Sequence, residues 1–314
     1  MRKLKNMKKF FTFLLFLLPL FQLRAQETYL YAQRDTCSLY LDIHRPTEGS
    51  ELSFEGQSKP AILFVFGGGF IMGSRNDPYY NPWFKLLNDN GYTVISIDYR
   101  LGLKGVKMNF GPFGIMKAAK SARKAQDMGV EDLFSAVRFL SDNAEDLGID
   151  TSNIVLSGSS AGAIISLAAE WYISNGDKVE ELPEGFNFKG LMSFAGAIIG
   201  DEGTPAYKNP PCPILLLHGI EDQTVAYKKI QVMKKGMWGS SALADVYGKK
   251  GYNYSIYRFV GHSHDIAAMF VPTWPLQKAF LEQNVMLGNA LTVDSTVDNP
   301  QLPRTEFPSM QKLY

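Results

Sequence analysis

Apolar residues in this chain gather in short unbroken runs set between longer mixed stretches. Ala61-Ile62-Leu63-Phe64-Val65-Phe66, Ile154-Val155-Leu156 and Ile214-Leu215-Leu216-Leu217 contain no polar position. A strand with one wetted face alternates, so such runs predict strands buried on both faces, as in a parallel sheet. Tyr254-Ser255-Ile256-Tyr257-Arg258-Phe259-Val260 reads as another strand, and a further one ends at Asp98. Residues 163–169 read as a helix behind the run 154–156. Strands alternating with helices predict one large α/β domain over residues 26–286, a mainly parallel central sheet with helices on both faces. Two stretches break that rhythm, 101–128 and the Gly/Pro-rich 196–212. Both are expected over the carboxyl ends of the strands as pocket walls, and neither is long enough for a large cap domain. Residues 287–314 are polar and Pro-containing, and are expected to form an irregular C-terminal extension.

Candidate chemistry collects where these strands end. The run 154–156 leads into Gly158-Ser159-Ser160-Ala161-Gly162, and a helix can start directly behind it. A Gly-x-Ser-x-Gly between strand and helix turns sharply and presents the serine hydroxyl at a helix N-terminus, where negative charge is favoured. Side chains at 158 and 162 would collide across that turn, and the serine itself is held in a strained backbone conformation. Ser160 is the candidate nucleophile. Upstream, the strand 61–66 ends in Gly67-Gly68-Gly69-Phe70. Consecutive glycines let backbone amides point into a site, as an oxyanion requires. The amides of Gly68, Gly69 and Ala161 are the candidate oxyanion-hole donors, with Gly67 as a substitute.

An acid and a base are needed to activate such a serine. Asp222 lies in the loop just past the strand 214–217, where open parallel sheets build their sites, with Glu221 as its neighbouring competitor. Four histidines occur, His44, His218, His262 and His264. Where a strand-to-helix elbow carries the serine, the acid and then the histidine follow it along the chain. That order sets aside His44, read as a surface strand-end residue, and His218, read as a structural hydrogen-bonder beside the acid loop. The candidate base is His264, with His262 as the alternative.

The chain resembles the secreted carboxylesterases of the α/β-hydrolase superfamily, in the esterase/lipase branch that includes acetyl xylan and feruloyl esterases. The resemblance rests on Phe66-Gly67-Gly68-Gly69-Phe70, Ile97-Asp98-Tyr99-Arg100-Leu101, Gly158-Ser159-Ser160-Ala161-Gly162, and His218-Gly219 with Asp222 and Val225. It runs from about residue 38 to about residue 285, and the family's Gly-x-x-His pattern falls on Gly261 and His264. The family usually has His before the triple glycine, where this chain has Phe66; that His is outside the triad, so the reaction class stands and the subfamily is left open. The resemblance implies a serine hydrolase that cleaves carboxylic esters through an acyl-enzyme, on small-molecule or polysaccharide-linked substrates such as carbohydrate or phenolic esters. Neither metal nor organic cofactor is implied. The alternatives are a serine peptidase of the prolyl-oligopeptidase type and a catalytically dead hydrolase fold that serves as a binding protein.

Arg2, Lys3, Lys5, Lys8 and Lys9 precede the apolar run 10–23, and Ala25 stands before Gln26. This pattern predicts a signal peptide over 1–25, cleaved near Ala25, and so a secreted or periplasmic protein without a stable membrane anchor. Its removal takes formal charge from +1 to −5, with 26 Lys and Arg left against 31 Asp and Glu. A mildly acidic mature chain argues against a nucleic-acid partner. Cys37 and Cys212 are expected as separate thiols rather than a disulfide. Tyr79, Tyr80 and Trp83 follow the glycine loop, where they either pack a helix start against the core or stack on a sugar or phenolic ring.

Overall fold

The computed structural model describes residues 26–305 apart from 36, 110, 112 and 113. The signal-peptide reading of 1–25 lies outside the described residues. The chain opens with β1 (Gln26–Gln33), β2 (Ser38–His44) and a short hairpin of β3 (Ser53–Phe54) and β4 (Gln57–Ser58). Then come β5 (Ala61–Val65), α1 (Asn81–Asp89), β6 (Val94–Ile97), α2 (Ile115–Asp142), α3 (Ala144–Leu147), β7 (Ile154–Ser159) and α4 (Ala161–Asn175). The second half holds β8 (Gly190–Phe194), β9 (Ala197–Gly200), β10 (Ile214–Gly219), β11 (Lys229–Val232) and β12 (Lys235–Gly239). It closes with α5 (Ser240–Lys250), β13 (Tyr254–Phe259), α6 (Trp274–Phe280) and β14 (Val293–Val297).

Nine strands form the main sheet in the order β1-β2-β6-β5-β7-β8-β10-β13-β14. Only β2 runs against its neighbours; from β6 to β14 every pairing is parallel. Every residue of β5, β6, β7, β8 and β10 is buried, which requires cover on both faces of the sheet. Phe64 of β5 packs edge-on against Tyr80, Trp83, Phe84 and Phe270, anchoring α1. Helices α2 and α4 pack closely where Gly129 meets Ile165: a Cβ at 129 would lie 2.4 Å from Ile165 Cδ1. Cys37 and Cys212 form no disulfide.

Three expectations need correction. Residues 101–128 are only partly loop, because α2 begins at Ile115; Lys117-Ala118-Ala119-Lys120 and Ala122-Arg123-Lys124-Ala125-Gln126 are runs of strong helix formers. Residues 196–212 contain β9, which joins β12 and β11 in a separate three-stranded sheet. The C-terminal extension is not irregular throughout, since Val293–Val297 completes the main sheet beside β13. Its Val293, Ser295 and Val297 sit half-buried while Asp294 and Thr296 face water, the weak alternation of an edge strand. Residues 306–314 lie outside the described residues.

Glu170 of α4 is buried at the joint between that helix and the Pro-rich lead-in to β10, where Oε1 accepts from the backbone N–H of Cys212 at 2.9 Å. Burial, only partly offset by that bond, pushes its carboxyl up to about 7. As pH rises past the ordinary Glu range, the unfolded chain ionises first, so stability falls until the folded carboxyl titrates near 7. The cost is roughly 3 kcal/mol at neutral pH and above. Glu170→Gln mimics the protonated acid, so it is expected to raise Tm at pH 8 and leave it nearly unchanged at pH 4.5, as read by thermal melts at both pH values. An equal loss at both would contradict this.

Candidate active site

Ser160 sits between the last residue of β7 and the first of α4, with φ 51° and ψ −115°. That conformation belongs to glycine, and it is held by crowding and by hydrogen bonds on both sides. The Ser160 N–H donates to Phe194 O at 2.9 Å, and its carbonyl accepts the first helical bond from Ile164 N at 2.9 Å. A Cβ at Gly158 would lie 2.4 Å from Gly162 O, and one at Gly162 would lie 2.0 Å from Val65 O. The elbow is thus wedged against the end of β5, and neither glycine tolerates a side chain.

From Ser160 a chain of short contacts runs inward. Ser160 Oγ lies 2.7 Å from His264 Nε2, and His264 Nδ1 lies 2.7 Å from Asp222 Oδ2. A carboxylate only accepts, so Nδ1 carries its hydrogen and Nε2 presents a lone pair to the serine hydroxyl. Asp222 Oδ1 accepts from the backbone N–H groups of Thr224 and Val225, at 2.8 and 2.9 Å. His218 Nε2 faces both Asp222 Oδ2 at 3.1 Å and Val225 O at 3.2 Å. Two acceptors place the hydrogen on that nitrogen, so His218 Nδ1 accepts from Ser240 Oγ at 2.8 Å. Burial raises the Asp222 carboxyl, but the hydrogen bonds from His218 and His264 outweigh it and hold the group well below the ordinary carboxylate range.

The alternative base is oriented elsewhere. His262 Nδ1 bonds Asp265 Oδ2 at 2.6 Å, while its buried Nε2 has no hydrogen-bond partner among the described residues. Asp265 also caps Ser263 N at 2.7 Å, and His262 O accepts from Glu221 N at 3.1 Å. His262 therefore braces the loop that carries His264 and ties it to the acid loop. Glu221 is exposed and outside the contact chain, and His44 lies at the end of β2 with its ring against Phe84 at 5.0 Å.

The glycine loop lies directly against the elbow: a Cβ at Gly67 would sit 3.3 Å from Ser160 Cβ. Gly68, Gly69 and Phe70 all have positive φ, at 130°, 63° and 62°. The Gly67 N–H is already given to Tyr80 Oη at 3.2 Å, which removes it as a substitute donor. Gly69 and Ala161 share a pocket wall with Ser160, and Ala161 as the first residue of α4 has no intrahelical carbonyl for its N–H. Phe66, where the resemblance leads one to look for His, stacks on Tyr99 with ring centroids 4.4 Å apart. Tyr80 and Trp83 belong to the core cluster around Phe64, Tyr79 is exposed and donates to Ala268 O at 2.8 Å, and none of the three lines the pocket that holds Ser160.

The pocket at Ser160 is walled by Phe70, Leu103, Met108, Ile164, Ile199 and Met237, with few polar side chains. One wall comes from the three-stranded sheet, which the sequence reading missed. Gln126 of α2 pins it by pairing with the backbone of Ile199, Oε1 to N at 2.9 Å and Nε2 to O at 3.1 Å.

Comparison with known proteins follows the same lines. The model of the carboxylesterase family matches residues 20–170, and the model described as phospholipase/carboxylesterase matches residues 103–269, more than half of the chain. The chain belongs to the phospholipase/carboxylesterase family. This phospholipase/carboxylesterase chain is 34% identical over 146 residues to the non-reducing polyketide synthase ausA of Penicillium brasilianum, covering 46% of the chain and 5% of that protein. It is 29% identical over 126 residues to juvenile hormone esterase of Tribolium castaneum, covering 40% of the chain and 18% of the esterase. The matches thus span a fifth or less of these curated relatives. Among solved structures, propionate-bound esterase Est2 of Thermogutta terrifontis superposes with TM-score 0.57 at 23% identity, covering 83% of this chain and 94% of that one. Such a likeness shows the α/β-hydrolase fold.

Proposed function

We propose that the protein is a serine esterase that hydrolyses carboxylic esters through an acyl-enzyme. The observation that carries this reading is the unbroken contact chain Ser160–His264–Asp222, both links at 2.7 Å, opening on an apolar pocket. His264 Nε2 takes the hydroxyl proton as Ser160 Oγ bonds to the ester carbonyl carbon. The resulting oxyanion is held by the amides of Gly68, Gly69 and Ala161, and Asp222 stabilises the imidazolium. Collapse breaks the C–O bond of the ester, and His264 returns the proton to the departing alkoxide. Water then adds to the acyl-enzyme with His264 again as base, releasing the acid and restoring Ser160.

The relatives' esterase names and the fold likeness support this class of reaction. The walls around Ser160 suit hydrocarbon acyl groups or aromatic rings better than a bare sugar, which needs hydrogen-bonding partners that few of these side chains supply. The leader expected over residues 1–25 supports an activity outside the cytoplasm. Hydrolysis of short p-nitrophenyl esters tests the class: turnover with a burst of p-nitrophenol is expected, and its absence in the folded protein would favour a binding role. His262→Ala is expected to keep kcat within about tenfold of wild type, since that ring acts only through the loop, whereas His264→Ala loses about 10⁶-fold. Parallel assays of both variants with p-nitrophenyl butyrate check this.

A further inference from the structure

Two stretches of the chain contribute described residues to the wall of the Ser160 pocket, Leu103, Met108 and Met116 from 101–120 and Ile230, Val232 and Met237 from 224–239. Together they carry eight lysines, at 104, 107, 117, 120, 228, 229, 234 and 235, and no Asp or Glu. None of these lysines forms an ion pair among the described residues, and all but Lys235 are exposed. The loop 201–203 lies against the same turn, with the Gly203 N–H donating to Lys234 O at 2.8 Å, and adds two exposed acids, Asp201 and Glu202, so the lysines stay in excess by eight to two.

The hairpin of β11 and β12 stands at the centre of this region. β11 is the outer strand of the small sheet, and all four of its residues are exposed. Ile230 and Val232 lie on one face of it and reach the pocket rim, yet remain 56% and 47% exposed. Met116, which also lines the pocket, is 39% exposed. Val232 pairs with Lys235, so Met233 and Lys234 form a two-residue turn. Met233 has φ 57° and is 85% exposed, the most exposed large apolar side chain described. A left-handed turn position favours Gly or Asn, and a methionine there costs on the order of 1 kcal/mol. Its side chain contributes almost nothing to the fold in return. The residue makes sense if the side chain enters something outside the protein.

We propose that this face docks on an anionic lipid surface, with Met233, Ile230 and Val232 entering the headgroup boundary and the exposed lysines that flank them in the chain, Lys228, Lys229 and Lys234, near the lipid phosphates. An apolar tip flanked by Lys is the arrangement that binds such surfaces through buried hydrocarbon plus electrostatic attraction. Docking would bring the mouth of the pocket against the bilayer, so that an ester held in the lipid layer reaches Ser160. That last step rests on the esterase reading; the docking itself does not.

Co-sedimentation with vesicles separates the two. Ser160→Ala protein is incubated with phosphatidylcholine vesicles containing 30% phosphatidylglycerol, as about one lipid in three, and with pure phosphatidylcholine. Binding to the anionic vesicles is expected, with little to the neutral ones and a strong decrease in 0.5 M salt, roughly three times the physiological ionic strength. Lys229→Gln with Lys234→Gln should weaken partition about 30-fold, and Met233→Gly about tenfold. Met233→Gly also relieves the turn, so its Tm should equal or exceed that of wild type, and soluble p-nitrophenyl ester turnover should not change. Equal binding to both vesicle types, or wild-type partition of Met233→Gly, would overturn the proposal. Capture on dextran sulfate beads without vesicle binding would assign the face to an acidic polymer. A dimer in light scattering that Met233→Gly dissolves would assign it to a second copy of the chain. Failure of ester turnover with vesicle binding intact would remove the esterase reading and leave the docking.

Discussion

Ser160→Ala is expected to abolish ester hydrolysis, by about 10⁶-fold in kcat, while the protein stays folded. The size of the loss follows from the chain of contacts, because without Oγ neither His264 nor Asp222 has anything to activate. Stability separates this variant from a second one. Ser160 has φ 51° and ψ −115°, a conformation that costs any residue with a Cβ about 1–2 kcal/mol, and alanine keeps that cost. Ser160→Gly removes it and should match or exceed the stability of Ser160→Ala, with activity equally lost. Urea unfolding of both beside p-nitrophenyl butyrate assays reads the two effects. A glycine variant clearly less stable than the alanine variant would mean that the elbow holds no strain.

Asp222→Asn is expected to lower kcat by about 10⁴-fold with only a small change in overall structure. The direction follows from the four contacts of the carboxylate. Oδ1 must remain an acceptor for the N–H groups of Thr224 and Val225, so the amide NH₂ of an asparagine would take the place of Oδ2. It would then face His264 Nδ1 and His218 Nε2, both of which now donate to Oδ2. His264 would have to accept on Nδ1 and carry its proton on Nε2, the nitrogen that must receive the serine proton. His218 can move its hydrogen to Nδ1, because Ser240 Oγ accepts as readily as it donates, but Val225 O then loses its donor. The same substitution carries a pH signature. The Asp222 carboxyl is held low in the folded state, so it stabilises the protein above its unfolded pKa and loses that contribution as pH falls through the folded value. Asp222→Asn should therefore reduce the slope of stability against pH below about pH 4. Unchanged turnover in this variant would put the acid elsewhere, with Glu221 the nearest candidate in sequence.

Much of the site was legible because it is local. A Gly-x-Ser-x-Gly between an apolar run and a helix dictates its own turn, and the crowding at Gly158 and Gly162 is the crowding such a turn requires. The strands 61–65, 154–159 and 214–219 were legible because burial on both faces leaves no polar position to interrupt them. The choice between His262 and His264 was not local, since both sit in one loop and only the approach of Asp222 from β10 and of Ser160 from β7 separates them. His218 was read as a neighbour of the acid loop; its bond to Asp222 itself emerges only when residues 218 and 222 fold back on each other. The β11–β12 hairpin escaped because only Trp238 of its apolar residues enters the core while Ile230, Val232 and Met237 line the pocket, and Lys229, Lys234 and Lys235 mask their alternation. β14 escaped for a related reason, with Asp294-Ser295-Thr296 between its two valines.

The most direct test of the central reading is labelling of the native protein with a fluorophosphonate, with the adduct located by mass spectrometry in wild type, His262→Ala and His264→Ala. The geometry predicts a single adduct on Ser160, retained in His262→Ala and nearly lost in His264→Ala. No adduct on the folded wild type, an adduct on another residue, or full labelling of Ser160 in His264→Ala would contradict it.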